Sequence, residues 1–440
     1  MDTNTKRARS TWTRSRHNSS NPQVAGAAAA TGPRRRRASA GAPPAADHPP
    51  PGNNHAMDKD ITRTVDAVCE ADDADVSVLR AEVESRVATG EFDWAGGLAA
   101  ELAARTAAGR DRQGHCAAAL YWTLNALAAR PGPQSLRALV RVLDSPHPGV
   151  SPRYLAAVVA HGHRIEDIAD EVFDRAPETA DAREFAACLL HETVLVSDAV
   201  NGYPALRAFA DTLLAGGHPL AVLPLALLPE EHGLRRPVEA ADDWTWTVPA
   251  VWPEPGDALE TTPATRQRAA AAEPTETSLP ATTEAMGAAV AHWLAQSNGK
   301  LAAQEFWLPD PVAPEDLPAL LALLPLTPWP PGQTPARLHP SDPDLALRTL
   351  LTAALRAPAY GHGNYGAYGR LAAWRSLAAL TGTPADAPIT RTADRVRQTT
   401  WLRLGTASAP WFHNVAWDLA LAALHPDGRH LAVLAATDTD

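Results

Sequence analysis

The sequence lacks three features that would settle its class directly: long hydrophobic runs, a cysteine framework and a catalytic motif. Its best apolar stretches, 219–229 and 317–326, are interrupted by Pro224 and Pro325, whereas a membrane-spanning helix needs about 20 apolar residues. We therefore expect no membrane span. The N-terminal segment also lacks the apolar core of a secretory leader.

Cysteine is scarce, with three residues in the chain and no Cys-x-x-Cys pair. An odd number of widely spaced cysteines indicates neither a disulfide framework nor a zinc site. Together with the missing leader, this pattern predicts a protein of the reducing cytoplasm. We expect Cys69, Cys116 and Cys188 to be small buried hydrophobic residues.

Charge is distributed unevenly along the chain. Residues 1–56 contain nine Lys or Arg and two Asp, a net charge of +7, so the remainder carries −18 and the whole chain −11. This basic segment is rich in Pro and Ala and has no helical or strand periodicity, which predicts a disordered tail. Because Met57 opens an acidic, helix-like stretch, the alternative is that translation begins there.

A cluster of four arginines in the tail bears on nucleic-acid binding. Clustered cations gain affinity for phosphates or acidic partners by releasing counterions, whereas a body with a net charge of −18 repels a phosphate backbone. We expect no nucleic-acid binding outside this cluster, which comprises Arg34, Arg35, Arg36 and Arg37.

Residues 57–230 carry the periodicity of amphipathic helices. In 136–143 and 206–214, apolar residues recur at intervals of three and four positions, which places them on one face of a helix. Ser151-Pro152 and the pair Asp181 and Glu184 are typical of helix starts. No motif recurs at a fixed period, so this half is predicted to be an irregular helical bundle or α-solenoid-like.

Residues 231–343 form a connector rich in Pro and Trp. Bulky and small side chains alternate from Trp244 to Val248, which predicts a short edge strand. The stretch 253–280 is rich in Thr, Ala, Glu and Pro without periodicity. It is predicted to be a linker between two lobes.

The C-terminal segment 344–440 combines helical and strand patterns. Two alternating stretches, 415–422 and 431–435, flank the turn sequence 426–428, Pro-Asp-Gly, which predicts a β-hairpin. Because an isolated hairpin is marginally stable, we expect it to pack on helices in an α+β lobe. The predicted fold is mainly α, with a helical first half and an α+β C-terminal lobe that ends in a β-hairpin.

The glycine-rich loop 361–370 is one side of a candidate ligand site. It leads into a helix start, where backbone N–H groups and Arg370 favour an anion, and Tyr365 supplies an aromatic wall. The alternative is that its glycines permit a tight turn between helices.

The segment 411–418 is the other side of this candidate site. His413 has the chemistry of a general base near neutral pH, Asp418 that of an orienting carboxylate, and Trp411 that of an apolar wall. Such residues are equally common in turns and on solvated strands, and no nucleophile motif accompanies them. The sequence carries no metal or cofactor motif, and the balance favours a non-enzymatic protein.

Two C-terminal segments resemble a known group of proteins. Residues 366–377, Gly-Ala-Tyr-Gly-Arg-Leu-Ala-Ala-Trp-Arg-Ser-Leu, and 411–440, which closes with Leu-Ala-Val-Leu-Ala-Ala-Thr-Asp-Thr-Asp, are similar to the C-terminal region of an uncharacterised family from high-GC actinobacteria such as Streptomyces. That family has no assigned activity. The resemblance implies a bacterial cytoplasmic protein and supports Met57 as a start.

Two hypotheses for the function follow. The first is a protein-interaction scaffold, an adaptor or regulatory protein that holds a protein partner on its helical half, because arrays of helix pairs offer long binding surfaces. The second is a small-molecule-binding or hydrolytic protein whose site lies between the loop 361–370 and the segment 411–418.

Overall fold

Helices fill the first half of the chain in this computed structural model. The structure describes residues 52–439 except 70–75, 112–113, 146–149, 235–256, 330–334, 336, 408 and 416. A π-helical turn follows α7. The α-helices of this half are α1 Gly52–Cys69, α2 Val76–Ala88, α3 Phe92–Ala107, α4 His115–Ala129, α5 Pro133–Leu143, α6 Pro152–Gly162, α7 Ile165–Ile168, α8 Ala180–Val196 and α9 Pro204–Ala215.

The helices predicted from periodicity are confirmed. α5 buries Leu136, Leu139 and Leu143, and α9 covers the second predicted stretch. The helices pack irregularly: α3 packs against α4 and α5, α2 against α4, and α6 against α8. The arrangement is an irregular helical bundle, as the absence of a fixed repeat predicts.

One predicted helix start is confirmed and one differs. The Ser151 hydroxyl accepts the backbone N–H of Tyr154 and caps α6. At α8 the cap is Thr179, whose hydroxyl accepts the N–H of Ala182 at 3.0 Å. Asp181 instead lies in the first turn, where the negative charge of a carboxylate interacts favourably with the helix dipole.

Two of the three cysteines are not isolated hydrophobic residues. Cys69 at the end of α1 forms a disulfide with Cys116 in the first turn of α4, and their Cα atoms are 5.5 Å apart. The prediction was wrong for this pair because α1 and α4 pack together, which a sequence separation of 47 residues does not reveal. Cys188 is free and buried.

The connector contains regular elements. α10 and β1 lie within the stretch 253–280, where the sequence predicts a linker, whereas the strand predicted from Trp244 to Val248 falls outside the described residues. The connector contributes α10 Pro263–Ala270, β1 Thr275–Glu276, α11 Pro280–Met286, α12 Ala291–Gln296, β2 Lys300–Trp307, α13 Leu317–Leu321 and β3 Leu338–Ser341.

The C-terminal lobe ends in the predicted β-hairpin. In its turn Gly428 has a φ of 65°, and Asp427 Oδ1 accepts the backbone N–H of Arg429 at 2.9 Å. The hairpin strands pair along their whole length. The elements of the lobe are α14 Pro343–Leu355, α15 Tyr365–Leu380, α16 Ile389–Gln398, β4 Thr400–Leu404, β5 Trp417–Leu424 and β6 His430–Asp438.

The six described strands form one antiparallel sheet in the order β1-β2-β6-β5-β4-β3. β2 pairs with β6 from Lys300 opposite Thr437 to Trp307 opposite His430. Three of the strands therefore come from the connector and three from the C-terminal lobe. The sheet thus spans the boundary that the sequence predicts near residue 343.

Both faces of the sheet are buried. Leu419 and Leu421 on β5 belong to the larger core, which contains α14 and α15. Ala420 and Ala422 point the other way, into a second core that includes α10 and α13. Burial on two faces explains why β5 and β6 are nearly continuous apolar runs.

The described part of the chain holds together as one unit, Pro51–Asp440. Its larger core extends from Ile61 in α1 to Ala436 in β6. Most of the predicted basic tail falls outside the described residues, while 52–56 belong to α1. Among the helices described, none has both the length and the apolar character to cross a membrane.

Candidate functional site

Arg370 on α15 is sealed inside the protein. It is 1% exposed, and its guanidinium pairs with the buried Glu231 at 2.6 and 2.8 Å. Two further hydrogen bonds go to the carbonyls of Pro224 and Ala226, each at 3.0 Å. Trp374 Nε1 donates to the same carboxylate at 2.7 Å. The charge of Arg370 is thus neutralised within the protein, and it joins α15 to the end of the helical half.

Tyr365 begins α15 with a φ of 53°, a left-handed conformation that non-glycine residues rarely adopt. The first turn is held by Glu192, a buried residue of α8 whose Oε1 accepts the backbone N–H of Ala367 at 2.8 Å. A carboxylate is favoured at a helix N-terminus. Burial, followed by the nearby Tyr121 and Glu192, raises the pKa of Tyr365.

Tyr365 belongs to a row of three tyrosines that reaches the surface. Its ring centre lies 5.9 Å from that of Tyr154 on α6, which stacks on Tyr121 of α4 at 5.7 Å. The Tyr154 hydroxyl donates to Asn125 Oδ1 at 2.8 Å. Because Tyr121 is 39% exposed, the row connects the start of α15 with the outer surface of α4.

The row ends at a cleft of about 530 Å³ between α2 and α4. This volume falls within the range of about 300–1,000 Å³ that is typical of ligand pockets. Arg80 donates to Glu84 at 2.8 Å and lies over the Trp122 ring, 5.9 Å from its centre. The polar and aromatic residues of this α2–α4 cleft are Arg80, Glu84, Tyr121, Trp122, Asn125 and Arg130.

Reasoning from sequence missed the α2–α4 cleft because its residues form no recognised motif. One signal was available. Leu120, Leu124 and Leu127 recur at intervals of four and three positions and mark the buried face of α4. Trp122 lies about 200° around the helix from Leu120, so this large aromatic side chain falls on the outer face, which indicates a surface feature.

The structure brings His413 and Asp418 close together at the start of β5. The backbone N–H of His413 donates to Thr437 Oγ1 at 3.2 Å, and this hydroxyl donates to Asp418 Oδ1 at 2.6 Å. Burial raises the pKa of Asp418, and the bonds from Thr437 and the Asn414 N–H act against it. Within the described residues, the buried Nε2 of His413 has no hydrogen-bond partner.

Trp411 packs into the second core. Its ring meets the Phe412 ring edge-on at 4.9 Å, and Phe412 lies 5.4 Å from Trp329. Trp411 is partly buried against this cluster. The structure does not bring it to Tyr365, which faces the helical half.

The sheet lies between the loop 361–370 and Asp418. Trp417 and Asp438 are paired across β5 and β6, so they share one face, while Asp418 lies on the other. Trp417 Nε1 donates to a backbone carbonyl of the segment 357–359 at 2.9 Å, and Asp438 Oδ2 accepts an N–H from it at 2.6 Å. The backbone before the loop is thus tied to the face opposite Asp418.

His191, beside Glu192 on α8, is a further buried ionisable residue. It is 1% exposed, and its Nδ1 has no hydrogen-bond partner in the part of the chain described. Burial, followed by the positive charge of Arg370, lowers its pKa to about 3, so the imidazole is neutral at physiological pH. Across the described ranges, no group of three or more His, Cys, Asp and Glu side chains is placed to hold a metal ion.

Comparison with known proteins identifies a family. A family model matches residues 77–440, from α2 to the end of the sheet, and it describes a family of unknown function, DUF6183. No curated protein and no solved structure was found to match the chain. The chain therefore belongs to the DUF6183 family of unknown function.

Proposed function

We propose that the protein is a non-enzymatic scaffold or adaptor of actinobacteria and that it binds a protein partner through the α2–α4 cleft. The observation that carries this proposal is the cleft lining, which combines a tryptophan, a tyrosine and two arginines. Trp, Tyr and Arg are the residue types that dominate binding energy at protein interfaces.

The charge of the α2–α4 cleft favours an acidic partner segment. Arg80 and Arg130 against Glu84 leave the lining at +1, within a chain whose net charge is −11. An acidic segment therefore meets less repulsion here than on the acidic remainder of the surface. The rings of Tyr121 and Trp122 provide apolar area for an aliphatic or aromatic side chain of that segment.

The cleft wall is organised before binding. Tyr154 holds Asn125 by a hydrogen bond and packs between Tyr121 and Tyr365. Side chains that are already ordered lose little conformational entropy when a partner binds. This supports binding through α4 with little rearrangement.

The test is affinity purification of the full chain from its native host at moderate salt, followed by mass spectrometry. Wild-type protein is expected to retain a stoichiometric protein partner, and Tyr121→Ala with Trp122→Ala is expected to lose it. The matched control, Tyr360→Ala with Trp307→Ala, removes the same residue types from positions outside the cleft that are 55% and 41% exposed. A partner retained by the cleft variant contradicts the proposal.

Small-molecule binding or hydrolysis at His413 is the second candidate function. It rests on the buried Nε2 of His413, which lacks a partner within the described residues, and on its proximity to Asp418. The same purification separates the two. A small molecule that wild-type protein retains without a protein partner, and that His413→Ala loses, favours this second function.

A further inference from the structure

α16 presents a stripe of polar side chains to another cleft. Ile389, Thr392, Ala393 and Val396 form the buried face of this helix. Arg391, Arg395 and Gln398 follow one another at intervals of four and three positions, on the same side of the helix. They line a cleft of about 430 Å³ whose opposite wall is the segment 382–384. We call it the arginine cleft.

The two arginines of this cleft have no acidic partner. Within the described residues, the guanidinium of Arg391 forms neither an ion pair nor a hydrogen bond. Arg395 donates from Nε to the Thr381 carbonyl at 3.3 Å, and no carboxylate neutralises it. Like charges four positions apart on a helix destabilise it slightly. Unpaired arginines are unexpected in a chain with 50 acidic and 39 basic residues.

The cleft lining also contains one carboxylate, Asp394. Asp394 forms an ion pair with Arg397, which also pairs with the buried Glu230. Arg397 shares one positive charge between these two carboxylates and therefore compensates Asp394 only in part. The cleft lining carries two positive charges, from Arg391 and Arg395, against the one carboxylate, a net charge of +1.

The wall opposite α16 is firmly placed. Gly382 has a φ of 65°, and a Cβ there would approach the ring of His425 to 2.8 Å. His425 Nε2 bonds to the Leu380 carbonyl at 3.0 Å, and the hydroxyls of Thr381 and Thr383 lie 2.9 Å apart. The cleft is consequently built on ordered backbone, which a binding site for a small group requires.

We propose that the arginine cleft binds a phosphate group, as inorganic phosphate or as the phosphate monoester of a small molecule, through bidentate hydrogen bonds from Arg391 and Arg395. The planar fork of a guanidinium matches two oxygens of a phosphate, and such charge-assisted bonds are among the strongest in proteins. Gln398 offers an amide at the next turn. The volume of the cleft exceeds that of a phosphate, which leaves room for the rest of a small molecule.

The test is isothermal titration calorimetry of the full chain with inorganic phosphate, at about pH 7.5 where phosphate is mostly a dianion and at constant ionic strength. Wild-type protein is expected to bind phosphate saturably. Arg391→Gln and Arg395→Gln are each expected to weaken the affinity about tenfold, and the double variant to abolish measurable binding. Arg183→Gln, which removes the same charge from an exposed position on α8, is the matched control and is expected to bind like wild type.

A second titration with AMP distinguishes the two sources of the phosphate. Tighter binding of AMP than of phosphate, lost in the double variant, assigns the site to a small-molecule monoester. Equal affinities assign it to free phosphate. Absence of saturable binding for both probes, or binding that the double variant retains, overturns the proposal.

A charge-retaining variant guards against a folding artefact. Arg391→Lys with Arg395→Lys keeps both charges but removes both forks, so it tests recognition even where the glutamine variant does not fold. It is expected to bind phosphate at least tenfold more weakly than wild type. Unchanged affinity in the lysine variant contradicts bidentate recognition.

Discussion

Two successive helices of the C-terminal lobe carry arginines in opposite environments. Arg370 on α15 is buried, ion-paired and bonded to two backbone carbonyls, whereas Arg391 on α16 faces the open arginine cleft. The difference arises from a carboxylate supplied by a distant part of the chain, since Glu231 lies 139 residues before Arg370. The environment of an arginine, and with it its role, is decided by what the fold places opposite it.

Removing the sealed arginine is expected to have the largest effect. Arg370→Met leaves the Glu231 carboxylate buried without a counter-charge, which costs about 3–5 kcal/mol of unfolding free energy. Adding Glu231→Gln is expected to restore part of the loss, because the buried charge disappears while an oxygen remains for Trp374. Urea unfolding at unchanged m-value measures both. A loss below about 1 kcal/mol would contradict the sealed environment.

The buried region around Arg370 is also expected to make stability depend on pH. His191 has a pKa of about 3 in the folded protein and about 6.5 when unfolded. Between these values the unfolded chain binds a proton that the folded chain does not, so stability falls as pH falls. This residue accounts for about 2 kcal/mol between pH 7 and pH 5. Burial also lowers the pKa of His163, His292 and His425, so these residues change stability with pH in the same direction as His191.

Denaturant unfolding of His191→Gln at the two pH values measures this contribution. The variant is expected to lose about 2 kcal/mol less than wild type over this interval. His232→Gln, at an exposed position, serves as the control and should follow the wild-type profile. Parallel profiles for wild type and His191→Gln would show that His191 is not buried in its neutral form.

The open arginine is expected to have the smallest effect on stability. Arg391→Gln removes a solvent-facing charge with no partner in the part of the chain described, so the unfolding free energy in phosphate-free buffer should change by less than about 0.5 kcal/mol. A small gain is consistent with relief of the repulsion from Arg395. Thermal and urea unfolding of Arg391→Gln, compared with wild type and with Arg183→Gln as the control, measure this change in unfolding free energy. A loss comparable to that of Arg370→Met would abolish the contrast between the two helices.

Local pattern accounts for the parts of the fold that sequence predicts. The stripe of α5 and the turn around Gly428 depend on residues a few positions apart, so they are visible in the sequence. β2 was not predicted because its Lys-Leu-Ala-Ala-Gln-Glu-Phe-Trp sequence does not alternate, and its pairing with β6 is non-local. The Cys69–Cys116 disulfide was missed for the same reason.

The same distinction between local patterns and non-local packing applies to the residues of the candidate site. His413 and Asp418 are five residues apart, and their proximity follows from local spacing. The burial of Arg370, the tyrosine row and the α2–α4 cleft depend on how α4, α6, α8 and α15 pack. No pattern within one segment encodes that packing, so the sequence could suggest Arg370 and Tyr365 as ligand residues without showing what surrounds each.

The position of β6 in the sheet has a consequence for biosynthesis. β6 pairs with β2 on one side and β5 on the other, yet it is translated after both. β2 therefore emerges from the ribosome long before β6 exists, and through that interval the nascent chain carries a partly apolar strand whose β6-facing edge is unpaired. The sheet can be completed only after β6 has emerged from the ribosome, and until then the exposed edge of β2 is a site at which the nascent chain can aggregate.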